Sequence, residues 1–177
     1  GSSKDTNGEL PILIKFIDAK SDLSVQVHPN DEYANEHENG QLGKTEMWYV
    51  LDATKDAKLV YGLKHNSSEK TLRKAIEKGT LMRHLQQFPI KKDDLFFIEA
   101  GTIHAIGAGA LIAEIQENSN LTYRLYDYDR KDKHGNKREL HIDKAMQVIN
   151  YGQYKNEAST STNGDELVCS CKYFESS

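Results

Sequence analysis

Short apolar runs separated by turn residues recur along most of this 177-residue chain, and they constrain the fold more than any other feature. The runs are rich in Val, Ile, Leu, Tyr and Phe, and Gly, Pro, Asn or Asp often stand between them, a pattern typical of β-strands. The sequence therefore predicts a sheet-dominated fold. The predicted strands are Leu10–Ile17, Ser24–His28, Glu46–Leu51, Ala57–Gly62, Leu95–Ile98, Leu111–Gln116 and Thr122–Tyr126.

Helical spacing interrupts the strand pattern in the middle of the chain and near its end. Asn66 can cap a helix whose third residue is Glu69, and Gly79 can terminate it. Apolar residues lie on one face of this helix, namely Leu72, Ala75 and Ile76. Two further helices are predicted, Leu81–Gln86 and His141–Ile149, and an exposed hairpin or loop is predicted over Asp127–Glu139.

The composition excludes several classes of protein. The net charge is −4 and the basic residues are scattered among acidic ones, so we expect no nucleic-acid partner. Apolar runs such as Leu10–Ile14 are far too short to span a membrane, and we expect a water-soluble protein. The two cysteines, Cys169 and Cys171, are one residue apart without a wider disulfide framework, which favours a reducing compartment and hence the cytoplasm.

The first candidate for chemistry is the segment around Gln26 and His28. Residues two apart on a strand face the same side, so these two side chains project together while Val25 and Val27 face the other side. The pair could chelate a metal ion. For these residues taken alone, a buried polar pair satisfied by its neighbours is the commoner explanation.

Two further candidates lie at the starts of later strands. Glu46 heads an apolar strand and shares a face with Trp48, so a buried Glu46 carboxylate would need a cation or a metal nearby. The alternative is an exposed carboxylate at the strand end. His104 follows the turn at Ala100-Gly101 and re-enters the next strand between apolar residues.

The order of these ligand types resembles the two-part metal signature of the cupin superfamily, with Gln26 in place of the usual first His and Glu46 unusually far downstream. Four blocks in sequence order closely resemble the type I mannose-6-phosphate isomerases in their short bacterial form. They are Leu23–Asp31, Gly43–Tyr49, Ala100–Gly107 and Thr122–Arg130. The resemblance spans roughly Leu10 to Tyr151, and that family carries a further segment before this region and more strands after it.

The resemblance implies a cupin-type β-barrel, or jelly roll, with a small helical insertion and with parts of the full family architecture missing. We expect a vector-derived remnant and flexible N-terminus (1–9), a metal-binding cupin domain (10–151) with its helical insert around 66–87, and a linker with the start of a C-terminal β region (152–177). The linker includes the small polar residues 156–164.

The resemblance also implies an aldose–ketose isomerase that interconverts mannose 6-phosphate and fructose 6-phosphate through an enediolate. A phosphorylated hexose is then the partner, and one divalent metal ion is the cofactor. Zinc suits nitrogen and oxygen ligands without redox chemistry. The implied ligands are His28, Glu46 and His104, with Gln26 as the fourth.

Three residues are implied as catalytic. Lys44 lies on the side of Glu46 and could bind the sugar or its phosphate, although an exposed turn lysine is the alternative. Arg124 could hold phosphate or the developing oxyanion, and its alternative is a surface salt bridge with Asp127–Asp129. Glu114, between Ala113 and Ile115 on a predicted strand, could be a general base with a raised pKa.

Other functions share part of this pattern. A non-catalytic sugar-phosphate-binding metal cupin would hold the same ion without turnover. An iron-dependent cupin oxygenase is disfavoured because the ligand set offers redox iron no special advantage. An isomerase fragment that folds but lacks activity is the remaining alternative.

Overall fold

The structure, a computed structural model, describes residues 11–155 and the backbone of two short strands near the C-terminus. The strands are β1 (Ile12–Asp18), β2 (Val25–Val27), β3 (Glu46–Ala53), β4 (Lys58–Leu63), β5 (Leu85–Pro89), β6 (Leu95–Ile98), β7 (His104–Ile106), β8 (Ala110–Glu117), β9 (Tyr123–Tyr126), β10 (Cys169–Ser170) and β11 (Glu175–Ser176). The helices are α1 (Asp31–His37), α2 (Glu69–Glu77) and α3 (Ile142–Val148), with a 3-10 helix at Leu81–His84. No helix in the described part of the chain is long and apolar enough to cross a membrane.

Two antiparallel sheets form the body of the fold. One has the strand order β1-β8-β3-β6 and the other the order β5-β4-β7-β2-β9. Side chains from both sheets form one buried apolar cluster, which includes Trp48, Leu59, Ile98, Ile106 and Ile112. The two sheets therefore face each other across a common core, and the predicted mainly β barrel is confirmed.

A second core lies on the other face of the five-stranded sheet. Val25 and Val27 of β2 pack there with Leu72 of α2 and with Ala145 and Met146 of α3. Because successive side chains of a strand point to opposite faces, Gln26 points away from the helices and toward the interior between the sheets. The prediction that the two valines face the side opposite to Gln26 is thus confirmed.

The first helix of the insert starts differently from the prediction, although Gly79 follows its C-terminus as predicted. The N-cap of α2 is Ser68, whose hydroxyl accepts a hydrogen bond from the Thr71 amide at 3.3 Å. Asn66, the predicted cap, instead accepts the amide hydrogen of Gln153 at 2.7 Å. An N-cap must lie next to the first helical turn, and Ser68 is the residue that does so.

The predicted helix Leu81–Gln86 is correct only as far as His84. Its last part belongs to β5, in which Leu85 is fully buried and lies opposite Leu63 of β4. Pairing with a neighbouring strand and burial of Leu85 outweigh the short run of helical spacing. Both are tertiary effects, which local periodicity does not reveal.

Helix α1 was not predicted, because only one of its residues, Ala34, is buried and its apolar periodicity is weak. Asn30 caps it by accepting a hydrogen bond from the Tyr33 amide at 2.9 Å. Gly43 lies directly against the start of this helix, where an added Cβ would come within 2.3 Å of the Asn30 carbonyl carbon. The chain that leads into β3 therefore passes in close contact with the N-terminus of α1.

The described residues confirm the exposed hairpin over Asp127–Glu139, where the backbones of Lys131 and Lys137 form an isolated antiparallel β-bridge. Asp127 itself is buried at the base of this hairpin. The predicted linker at 156–164 lies outside the described residues. Nearer the C-terminus, the described strand β10 pairs antiparallel with β11.

Candidate metal centre

Three strand ends bring His28, Glu46 and His104 together in the interior. His28 directly follows β2, Glu46 is the first residue of β3 and His104 is the first residue of β7. The site therefore joins the two sheets, and all three side chains are at least 99% buried. Gly101, in the turn before β7, donates its backbone N–H to the His28 carbonyl at 2.9 Å, which ties two of the ligand-bearing segments together.

The potential ligand atoms lie close enough to share one ion. The Nε2 atoms of His28 and His104 are 3.1 Å apart. Glu46 Oε1 lies 3.2 Å from His28 Nε2, and Glu46 Oε2 lies 3.8 Å from His104 Nε2. Ligands at about 2.0–2.1 Å from a tetrahedral ion are about 3.3 Å apart. The three donors thus have nearly the spacing that a zinc ion requires.

The hydrogen bonds of the two Nδ1 atoms, which point away from the centre, determine the tautomer of each imidazole. The tautomer in turn determines whether Nε2 presents a hydrogen or a lone pair to the centre. His28 Nδ1 hydrogen-bonds the Leu121 carbonyl and His104 Nδ1 hydrogen-bonds the Thr102 carbonyl, each at 2.8 Å. A carbonyl oxygen only accepts, so each Nδ1 must carry the hydrogen. In the neutral rings, both Nε2 atoms then present lone pairs to each other, an arrangement that a cation between them would stabilise.

The surroundings keep both rings neutral. Burial lowers the pKa of His28, although the adjacent Glu46 opposes this effect. Burial, and then the charge that His28 would carry, lower the pKa of His104 to about 3. A metal ion would therefore meet two deprotonated Nε2 atoms at neutral pH.

Glu46 supplies the negative charge of the centre. Its Oε2 accepts the indole N–H of Trp48 at 2.9 Å, and the Lys44 ammonium lies 2.8 Å from its Oε1. Burial alone would raise the pKa of Glu46, but the positive charge that His28 and His104 carry when protonated, together with Lys44, holds it below the ordinary value. Oε1 accepts no hydrogen bond of good geometry from the described residues, which leaves a buried lone pair for a further ligand or ion.

Gln26 lies beside this group. It is paired directly with His104 across β2 and β7, and directly opposed residues on neighbouring strands project to the same face. Gln26 is half-buried there. Its register is consistent with the predicted fourth ligand position.

Arg124 of β9 lies opposite Gln26 of β2, so it projects to the same face of the five-stranded sheet as Gln26. Its guanidinium donates to Ser24 Oγ at 3.3 Å and to the Glu139 carbonyl at 2.8 Å. The predicted alternative was a salt bridge with the Asp127–Asp129 cluster. Asp127 instead pairs with Arg130, and Asp129 pairs with Lys137.

Glu114 approaches the interior from the four-stranded sheet. On β8 it lies opposite Trp48 of β3 and Lys15 of β1, and it is only 5% exposed. Burial, and then the negative charge of Glu46, raise the pKa of Glu114 to about 7. A carboxyl group that titrates near neutral pH can both take up and release a proton during a reaction.

Lys15 is a neighbour of the site that the sequence analysis did not identify. Its ammonium donates to Gln116 Oε1 at 2.7 Å and lies 3.8 Å from Glu114 Oε1. The available signal was a single cation in the otherwise apolar run Ile12–Ile17, at a position that shares its face with Leu13 and Ile17. Lys44 thus lies against Glu46 and Lys15 lies near Glu114, and these two cations beside the interior suit an anionic ligand.

Comparisons with known proteins give this arrangement a family context. A family model described as phosphomannose isomerase type I, catalytic domain, matches residues 2–57. Mannose-6-phosphate isomerase ManA of Bacillus subtilis is 56% identical over 140 residues, which make up 78% of this chain and 44% of that protein. The mannose-6-phosphate isomerase of Streptococcus mutans is 47% identical over 156 residues, or 88% of this chain and 48% of that protein.

The fold agrees with these matches. A crystal structure of the mannose 6-phosphate isomerase from Bacillus subtilis superposes with a TM-score of 0.86 at 38% identity, covering 95% of this chain and 55% of that one. The chain spans less than half of the length of the two curated relatives. Over the region that it shares with them, the chain belongs to the type I phosphomannose isomerase family.

Proposed function

We propose that residues 10–151 form the metal-binding unit of an isomerase that interconverts mannose 6-phosphate and fructose 6-phosphate. The convergence of two imidazole lone pairs and one carboxylate at a buried point carries this proposal. The relatives that cover most of this chain are named mannose-6-phosphate isomerases, which supports the same reaction. A hexose phosphate substrate is consistent with a location in the cytoplasm. The two cysteines, which form a single Cys-x-Cys pair, are consistent with the same location.

His28, Glu46 and His104 would hold one Zn²⁺ ion, with Gln26 as the fourth ligand. Zn²⁺ matches these nitrogen and oxygen donors and has no redox chemistry of its own. When bound, it would act as a Lewis acid that stabilises negative charge on the sugar oxygens of an enediolate.

The residues around the centre can perform the remaining steps. The Glu114 carboxylate takes the proton from C2 of the aldose as the C2–H bond breaks, and returns it to C1 as the ketose forms. In the enediolate between these two steps, the hydroxyl proton of O2 moves to O1, so that C2 becomes the carbonyl carbon. Lys44 and Arg124 hold the phosphate or the developing oxyanion, since an ammonium and a planar guanidinium donate hydrogen bonds to such groups. The neutral sugar portion then lies between these cations and the two imidazoles.

The purified protein is expected to contain about one zinc ion per chain and to convert mannose 6-phosphate to fructose 6-phosphate. Removal of the ion with a chelator should abolish turnover, and added zinc should restore it, because no other group in the described site provides a divalent charge. Elemental analysis and a coupled isomerase assay on the same sample test this. Zinc-replete protein that neither binds nor converts the sugar phosphate would contradict the proposal.

Replacing Arg124 by Ala is expected to lower kcat/KM for mannose 6-phosphate by about 100- to 1,000-fold, the usual effect of removing one donor to a developing oxyanion. Zinc content should not change, because Arg124 is not a ligand. Exposed Arg83 of the 3-10 helix, replaced by Ala, is the matched control. Wild-type protein that binds fructose 6-phosphate without converting it would identify a non-catalytic sugar-phosphate-binding protein instead.

A further inference from the structure

The segment before Glu46 is held by side chains from two different elements. The Gly43 amide donates to Asp31 Oδ1 at 3.0 Å, and the Thr45 amide donates to Glu117 Oε2 at 2.7 Å. Between them, the Lys44 amide donates to the Pro29 carbonyl at 2.9 Å. Three successive backbone N–H groups are thus fixed from outside their own segment.

Glu117 is the most deeply placed of these anchors. It is 2% exposed, and its own backbone N–H returns a hydrogen bond to the Thr45 carbonyl at 3.1 Å. Its second carboxyl oxygen, Oε1, is buried and accepts no hydrogen bond from the described residues. An ionised carboxylate with an unsatisfied buried oxygen is costly, whereas a protonated one can donate from that oxygen.

The Asp31 carboxyl is the group that would accept a hydrogen bond from a protonated Glu117. Burial, and then the neighbouring charge of Asp31, raise the pKa of Glu117 to about 7. The two acids can therefore share one proton while each accepts a backbone N–H from the same segment. This arrangement links the start of α1, the end of β8 and the residues that lead into β3.

Lys44 is the side chain whose position depends on this link. It is only 5% exposed, and its ammonium lies 2.8 Å from Glu46 Oε1. A lysine side chain has four rotatable bonds, so a fixed backbone on both sides is needed to keep its charge at one point. Gly43 contributes too, since its lack of a side chain allows the close approach to α1.

We propose that Glu117 is a positioning residue for Lys44: its carboxyl, held between the Thr45 amide and the Asp31 carboxyl, fixes the Lys44 ammonium beside Glu46. The role of Lys44 toward the substrate rests on the proposed function, but its placement beside Glu46 does not. Glu117 acts through the backbone of the segment 43–45, which it holds at the Thr45 amide and carbonyl.

Glu117→Gln and Glu117→Ala separate this role from simple packing. Gln has the shape of a protonated Glu, accepts the Thr45 amide and donates to Asp31, so kcat/KM should stay within about 2-fold of wild type. Ala removes both contacts and should lower kcat/KM by about 10- to 100-fold, the scale expected for a small displacement of a catalytic group. Glu117→Leu, which keeps the volume without the acceptor, replaces the Ala variant if that variant does not fold.

A double-mutant cycle with Lys44→Met tests whether the effect passes through Lys44. In the Lys44→Met background, Glu117→Ala should change kcat/KM by less than about 2-fold, because there is no ammonium left to position. An equal loss in both backgrounds would overturn the proposal. Glu77→Ala, on the exposed face of α2, is the control for loss of a carboxylate elsewhere.

Crystal structures of the metal-free variants give a readout that does not depend on isomerase activity. The distance from Lys44 Nζ to Glu46 Oε1 should remain near 2.8 Å in Glu117→Gln and exceed hydrogen-bonding range in Glu117→Ala. A Lys44 ammonium that stays in place in Glu117→Ala would overturn the proposal. A wild-type protein without turnover would contradict the proposed function alone, and these distances would still decide the role of Glu117.

Discussion

Replacing Glu46 by Gln is expected to weaken zinc binding by about 100- to 1,000-fold and to remove isomerase activity with it. The change keeps the shape of the side chain but deletes the only negative charge among the three grouped donors. Zinc sites in peptides bind with about 10–16 kcal/mol, so one of four ligands accounts for about 2.5–4 kcal/mol. The same substitution leaves the buried Lys44 ammonium, 2.8 Å from Oε1, without its partner charge.

Competition with a chromophoric chelator measures this affinity directly in the wild type and in Glu46→Gln. The matched control is Glu99→Gln, which makes the same chemical change at an exposed residue just after β6, the strand that pairs with β3. The control should keep wild-type affinity. If Glu46→Gln also retained it, Glu46 would not be a ligand and the centre would lie elsewhere.

Much of the candidate metal site could be predicted because strand alternation is a local rule. Val25 and Val27 are apolar neighbours of Gln26 and His28, so the face of each residue on β2 could be assigned before any partner strand was known. Glu46 was placed on the face of Trp48 in the same way, and the structure joins those two side chains by a hydrogen bond. The distances among the three donors depend on how the two sheets face each other, and alternation does not determine that.

The residues that were missed are those whose neighbours are remote in sequence. Lys15 meets Gln116 and Glu114 only because β1 pairs with β8, about a hundred positions later, in one particular register. Glu117 meets Thr45 through a similar long-range contact. A single sequence contains no record of which strands become neighbours, so neither an isolated lysine in an apolar strand nor an acid at a strand end could be assigned its partners.

The errors in predicting the helices have the same cause, namely contacts with other parts of the chain. Strand β5 takes up residues that have helical spacing because Leu85 is buried opposite Leu63. Helix α1 forms with a cap at Asn30 and little apolar periodicity, and its start supports the segment next to the metal centre. In both cases a tertiary contact decides the local structure.

Replacing Glu114 by Gln is expected to lower kcat by about 100- to 10,000-fold, the range that general acid–base groups contribute. Glu114 is buried and lies opposite Trp48, and an amide of the same shape keeps this packing but cannot take up a proton from C2. Zinc content should therefore stay at the wild-type value, which separates this variant from Glu46→Gln. Glu77→Gln on α2 is the control, and a Glu114→Gln enzyme with wild-type kcat would exclude Glu114 as the base.

The pH dependence of the wild type provides an independent test of the same role. Burial and the charge of Glu46 raise the pKa of Glu114 to about 7 in the metal-free protein. A base must be deprotonated to act, so kcat/KM should fall as the pH decreases through this pKa and level off above it. A bound divalent ion favours the carboxylate, so the acidic limb of the profile should lie at or below pH 7. The residual activity of Glu114→Gln should lack this limb, because the amide does not titrate; an unchanged limb in that variant would assign the titration to another group.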